Sequence, residues 1–332
     1  MKVVLLIGNN QTSPFIHKNQ NPATLNKFGG KFLLEHLLNE LLLLTEEDIQ
    51  ELLFVTSAEV ALFHDTLKQI ATKFNLKTSV HSCLEGNSPL EALTCTEESI
   101  KGPVLVLPAN IWFRGGNGLT TTGENTILVH KIEDPSEHNV VKLEMNNAVS
   151  GFHYKSNEYI SDLAPVGGYF FKQGETLIKD IRSLLSEEKA ENLDLMHLVE
   201  YKIKKGERFL PSLVEGWQSC KDPDDMLEIH RRVIAGFTSH RHIADSAKIM
   251  NTVILSPVYI GENAKILNSV VGPNVSIGDN ALIENALVND SIVAEGAQIK
   301  NVKLGKSLLG NHSIYEGKEK RINLGDYSYL KE

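Results

Sequence analysis

The feature that most constrains this chain is a period of 17 residues in its C-terminal third. In that register Ile243, Ile260 and Ile277 coincide, as do Ala247, Ala264 and Ala281. Ile249, Ile266 and Ile283 coincide, then Asn251, Asn268 and Asn285, then Ile254, Val271 and Val288. A fourth turn follows one residue short, with Val293, Ala297, Ile299, Asn301 and Leu304. Apolar positions recur roughly six residues apart, which is neither the helical period nor the alternation of an ordinary strand. A triangular solenoid needs that spacing, because each short flat strand sends one aliphatic side chain into a shared interior. One coil cannot bury such an interior, but a stack can. Gly261, Gly272, Gly278, Gly305 and Gly310 follow aliphatic positions, where sharp bends are expected.

The repeat resembles the hexapeptide repeats of left-handed β-helices. Upstream of it the chain alternates between strand and helix patterns. Strands are expected at Val3–Ile7, Glu51–Thr56, Pro103–Leu107, Thr126–His130, Val140–Leu143 and Val166–Phe171. Helices are expected at Phe32–Leu44, Glu59–Phe74, Leu177–Leu185, Leu195–Lys204 and Asp222–Ile234. Alternation of this kind predicts an α/β domain with a mixed, mostly parallel, Rossmann-like sheet covered by helices. A boundary near Gly236–His242 divides the chain into an α/β domain at 1–236 and a parallel β-helix at 237–332.

A chain of 332 residues can bury both cores without staples. Its net charge of −9 argues against a nucleic-acid footprint and against an anionic membrane surface. Small molecules are the expected partners, nucleotides among them where local donors allow. Cys83, Cys95 and Cys220 form no C-x-x-C pair and read as reduced thiols of a cytoplasmic protein. Val3–Ile7 is too short for the apolar core of a secretion signal. The apolar run Phe32–Leu44 carries Glu35, His36, Asn39 and Glu40, so it reads as a core helix and not as a membrane span.

Several stretches, in order, resemble the sugar-1-phosphate nucleotidyltransferase family, in particular its long-form glucose-1-phosphate thymidylyltransferase-like members. They are Leu25-Asn26-Lys27-Phe28-Gly29-Gly30-Lys31, then Lys131-Ile132-Glu133-Asp134-Pro135, then Ser161 through Phe171. Gly216-Trp217-Gln218-Ser219-Cys220-Lys221-Asp222-Pro223 and the closing coil from Leu308 to Ser328 complete the set. The resemblance implies joining of a sugar 1-phosphate to a nucleoside triphosphate with release of pyrophosphate. Such a site needs a glycine-rich loop, cations on the phosphates and carboxylates holding Mg²⁺.

Set on this sequence, the resemblance yields a depleted site. The loop G-x-G-x-R becomes Gly8-Asn9-Asn10-Gln11-Thr12, so Thr12 stands where the phosphate-binding Arg belongs. Ala23 replaces the Lys of a Pro-Lys pair, and Asn110 and Ser219 stand at the two metal carboxylates. On the sugar side Tyr154 replaces a Glu, while Lys155 and Gly167 remain; Gly86 matches the base-side Gly. Asn9, Asn10, Gly8 and Gly86 are thus the expected nucleotide contacts, and Tyr154, Lys155 and Gly167 the sugar contacts.

The expectation is a degenerate homologue that binds a nucleotide or sugar nucleotide, or acts as a regulatory or structural subunit, with itself as a homo-oligomer or with an active paralogue. The runner-up is an active enzyme using Mg²⁺ and relocated residues, Lys18 or Lys27 with a carboxylate such as Asp222. A third reading, acyl transfer on the solenoid through His240, His242 or His312, is disfavoured because the His240-Arg241-His242 run lies at the boundary and not at a coil corner.

Overall fold

The computed structural model describes residues 1–8, 22–45, 48–83, 88–116, 118–119, 123–155, 159–187, 193–237, 239 and 241–318. The chain falls into two compact units, Met1–Asn26 with Lys31–Met226, and Lys27–Gly30 with Leu227 onward.

In chain order the elements are β1 (Lys2–Ile7), β2 (Lys27–Phe28, which belongs to the second unit), β3 (Lys31–Phe32) and α1 (Leu33–Leu44). β4 (Glu51–Ser57), α2 (His64–Thr72), β5 (Thr78–Cys83) and α3 (Pro89–Leu93) follow. Next come β6 (Val104–Pro108), β7 (Ile111–Arg114), β8 (Asn125–Lys131), β9 (Val140–Leu143), β10 (Val149–His153) and β11 (Leu163–Phe171). The series ends with α4 (Gly174–Glu187), α5 (Leu195–Lys204), β12 (Phe209–Val214), β13 (Gly216–Ser219) and α6 (Pro223–Ala235), in which the division between the units falls.

Seven strands form one sheet in the order β12-β8-β11-β6-β1-β4-β5. β1 runs parallel to both β4 and β6, while β11 is antiparallel to β6 and β8. The sheet is therefore mixed and mostly parallel, as expected. β1 is a continuous apolar run because both its faces are covered. Val3, Leu5 and Ile7 pack on the α1 and α2 side with Leu34, Leu41 and Leu67. Val4 and Leu6 pack on the other side with Leu177, Ile181 and Leu198.

Two expectations change here. The helix expected at Glu59–Phe74 is a 3₁₀ segment, Ala58–Phe63, followed by α2. The tighter winding puts Val60 in the core and leaves Leu62 at the surface. Cys83 and Cys95 are joined as a disulfide with a Cα–Cα distance of 6.2 Å, so they are not the free thiols expected. Cys220 is free and buried.

In the second unit three stacks of parallel strands, of five, five and four, wrap one interior. Ile260 pairs with Ile277, Ile266 with Ile283 and Val271 with Val288, all 17 apart as read from the sequence. Ile277 then pairs with Val293, 16 apart, which is the short fourth coil. The interior holds Ile260, Ala264, Ile266, Val271, Ile277, Ala281, Ile283, Val288, Val293, Ala297 and Ile299. Of the glycines expected to bend, Gly272 does, at φ +108°. Gly261 and Gly278 serve a different need: a Cβ there would lie 2.3 Å from Asp279 Oδ1 or 2.6 Å from the Glu295 backbone nitrogen. They allow adjacent coils to approach.

Candidate functional site

β1 lies between β4 and β6, so the chain leaves β1 to one side and later returns on the other. In such sheets the crevice beyond the carboxyl ends of the strands at that reversal is where ligands bind. A cleft of about 890 Å³ opens there. Ile7 and Gly8 close β1, Val55 to Ser57 close β4, Cys83 closes β5 and Pro108 closes β6, and all line the cleft.

Gly8, Lys155, Gly167 and Ser219 are brought together around this cleft. Among the described residues, a Cβ on Gly8 would meet nothing within 4 Å. Gly167 has φ +92°, and a Cβ would press on Pro108 at 3.1 Å. Glycine is thus required there by both backbone and space. Lys155 holds φ +31°, a conformation uncommon for a long side chain. Ser219 ends β13, paired with Ile111 across β7.

Other expected residues lie elsewhere. Tyr154 is not among the lining residues; its ring stacks on His197 with centroids 5.8 Å apart. Ala23 is fully buried in the 3₁₀ turn Ala23–Leu25 and does not face the cleft. Asn110 is buried and its amide donates to the Cys220 carbonyl at 3.3 Å, while the Cys220 N–H donates back to its carbonyl at 2.7 Å. Lys27 is not in the cleft lining either; it belongs to the second unit, where its ammonium sits 3.8 Å from Glu295. Asn9, Asn10, Thr12, Lys18 and Gly86 lie outside the described residues, as does His240. In the second unit His242 packs edge-on against Phe237, 4.6 Å between centroids.

Sequence reasoning did not single out several lining residues. Glu137, His138 and Asn139 follow the Glu-Asp-Pro turn by a few residues, and Asp194, Leu195 and Met196 begin α5. Asp194 caps α5, accepting from the Met196 and His197 amides at 2.9 and 3.2 Å. Ser88 caps α3 in a reciprocal box with Glu91. Trp217 lines the cleft edge-on to His138, and its indole N–H is buried with no acceptor among the described residues. Burial holds the Tyr169 phenol, also in the lining, well above its usual pKa. Spacing alone could have found the α5 and α3 caps, since both follow N-cap rules.

The lining includes the carboxylates Glu137, Asp194, Asp222 and Asp225 against the amines Lys155 and Lys221. Three of those carboxylates are already engaged, Asp194 with the first amides of α5. Asp222 accepts from the Asp225 amide at 2.8 Å, and Asp225 accepts from the Lys221 amide at 2.9 Å and from the Gln218 side chain. At the two positions given by the resemblance, the residues do not fit Mg²⁺. Asn110 turns its amide into the interior and Ser219 offers a neutral hydroxyl, whereas Mg²⁺ favours charged oxygens.

The fold and crevice define an α/β nucleotide-site architecture followed by a coiled solenoid. A family described as nucleotidyl transferase matches residues 17–235, and the chain belongs to that family. A second family, GlmU-like C-terminal hexapeptide, matches residues 225–300 and identifies the coils as a hexapeptide left-handed β-helix. A glucose-1-phosphate thymidylyltransferase of Streptomyces antibioticus is 28% identical over 226 residues, covering 62% of this chain. The chain spans 63% of that relative's length. A crystal structure of the nucleoside-diphosphate-sugar pyrophosphorylase from Vibrio cholerae RC9 has the same fold, with a TM-score of 0.57 at 18% identity, over 70% of this chain and all of that one.

Proposed function

We propose that this chain binds a nucleotide or sugar nucleotide in the Gly8 cleft and transfers nucleotidyl groups poorly, as a degenerate sugar-1-phosphate nucleotidyltransferase. The observation that carries the reading is the charge of the cleft wall: among the described residues, carboxylates outnumber amines. Ala23 and Asn110, at a phosphate-cation position and a metal position, are turned away from it. One lost transition-state donor costs about 3–4 kcal/mol, so several together remove most of the rate. Gly8, Lys155, Gly167 and the unsatisfied Trp217 N–H still suit the oxygens of a bound sugar nucleotide. On this reading residues 1–236 carry the cleft, and 237–332 serve self-association or pairing with an active paralogue, in the cytoplasm.

The test is pyrophosphate release with Mg²⁺, starting from dTTP and glucose 1-phosphate because of the thymidylyltransferase relative. Release at least about 10³-fold below the ordinary 1–10³ s⁻¹ is expected. Turnover inside that range overturns the proposal. A second reading, an active enzyme with relocated residues, draws on Lys221, Asp222 and Asp225 lining the cleft. It requires that Lys221→Ala abolish the measured turnover.

A further inference from the structure

The Cys83–Cys95 bond ties the edge strand of the sheet to the segment forming one wall of the cleft. Cys83 ends β5, which among the described residues pairs with β4 alone, at the sheet edge. Cys95 lies in the 3₁₀ turn Thr94–Thr96, directly after α3. The stretch between them supplies Ser88, Pro89 and Ala92 to the cleft lining, and Cys83 itself lines it. The two ends differ in access: Cys83 is 8% exposed, whereas Cys95 lies at the surface. Of the two residues, Cys95 is therefore the one a thiol reductant can approach from solvent.

We propose that this disulfide is a redox-sensitive switch that sets the rigidity of the Ser88–Thr96 wall. Opening it takes a dithiol. One thiolate attacks the Cys95 sulfur, the S–S bond breaks and Cys83 leaves as a thiolate that takes a proton. The second thiol then displaces Cys95, which also takes a proton, and the reductant departs as its disulfide. Two electrons and two protons reach the protein. When the bond is closed the wall is preorganised; when open it is held by the Ser88–Glu91 capping box and the burial of Leu90 and Leu93. A preorganised wall lowers the cost of binding, so nucleotide affinity falls on reduction; this consequence alone rests on the function proposed above.

The experiment uses the full chain, equilibrated with oxidised or reduced dithiothreitol. Thiol titration after denaturation counts one thiol oxidised, from Cys220, and three reduced. Amide hydrogen exchange across Ser88–Thr96 is expected to be at least about tenfold faster in the reduced protein. Cys95→Ser, at an exposed position, is expected to exchange fast under both conditions. Calorimetric titration with dTTP is expected to give about three- to tenfold weaker binding in the reduced form. Three free thiols after oxidation, or equal exchange in both states, overturns the switch. If dTTP binds in neither state while exchange still responds to redox, the proposed function fails and the switch stands.

Discussion

At the residue scale, the repeated asparagines show how one side chain meets a backbone need and a packing need together. Asn251, Asn268, Asn285 and Asn301 sit at φ +48°, +48°, +50° and +55°. Each of the first three donates a side-chain amide hydrogen bond to the asparagine of the next coil, at 3.2, 3.3 and 3.1 Å. The left-handed conformation costs most residues roughly 1–2 kcal/mol, less for Asn. Asn268→Ala is therefore expected to destabilise the protein by about 2 kcal/mol, half of it from strain and half from lost ladder bonds. Asn268→Gly should recover the strain half, and urea denaturation of both variants separates the two. Gly8 makes the opposite case, since among the described residues a Cβ there meets nothing within 4 Å. Gly8→Val is expected to leave the melting temperature unchanged and to weaken nucleotide binding, read by titration calorimetry. Asn110 stands where the resemblance expects a metal carboxylate, and its side chain is buried in a hydrogen bond to the Cys220 carbonyl.

At the element scale, α6 is held by a histidine. His230 is fully buried, with Nε2 3.3 Å from the Asn274 carbonyl and Nδ1 3.4 Å from the Ser276 hydroxyl. Burial lowers its pKa to about 4; Arg231 lowers it further and Asp290 opposes. Because the folded pKa is depressed, the unfolded chain binds the extra proton between about 4 and the ordinary 6.5. Stability is then complete above pH 6.5 and falls as pH drops through that window, by about 2–3 kcal/mol for this group. Urea unfolding at pH 7 and pH 4.5 should show this loss, and His230→Gln should reduce it by that amount. The same scale explains two of the strands that were not expected, β5 and β12, while β7, β10 and β13 were not expected either. β5 and β12 are the two sheet edges, where the apolar pattern weakens. β12 carries Pro211 in its middle, which an edge strand tolerates because one side of its ladder goes unpaired.

At the scale of the whole molecule, the coil stack and the sheet were legible in advance because each rests on periodicity over many residues. Thermal shift with nucleotides tests the molecule as a unit. A ligand at 100 times its Kd should stabilise the fold by about 2.7 kcal/mol. The shift is expected to be the same with and without Mg²⁺, because Asn110 and Ser219 give the ion no charged oxygen. A shift that appears only with Mg²⁺ would show charged ligands at work in the cleft.

By itself the sequence determined the solenoid, its short fourth coil, the mostly parallel sheet and the glycine at the end of β1. Those follow from local spacing, since burial of one face or both imposes a period that survives in the residue order. Tertiary structure alone decided which polar residues share the cleft, that Ala23 and Asn110 turn from it, that Asp194 and Trp217 belong to it, and that Cys83 meets Cys95. Most of those are pairings between distant segments, brought together by crossovers of the chain; even Cys83 and Cys95, 12 residues apart, meet only because a strand and a helix place them so. No local pattern encodes which side chain faces which.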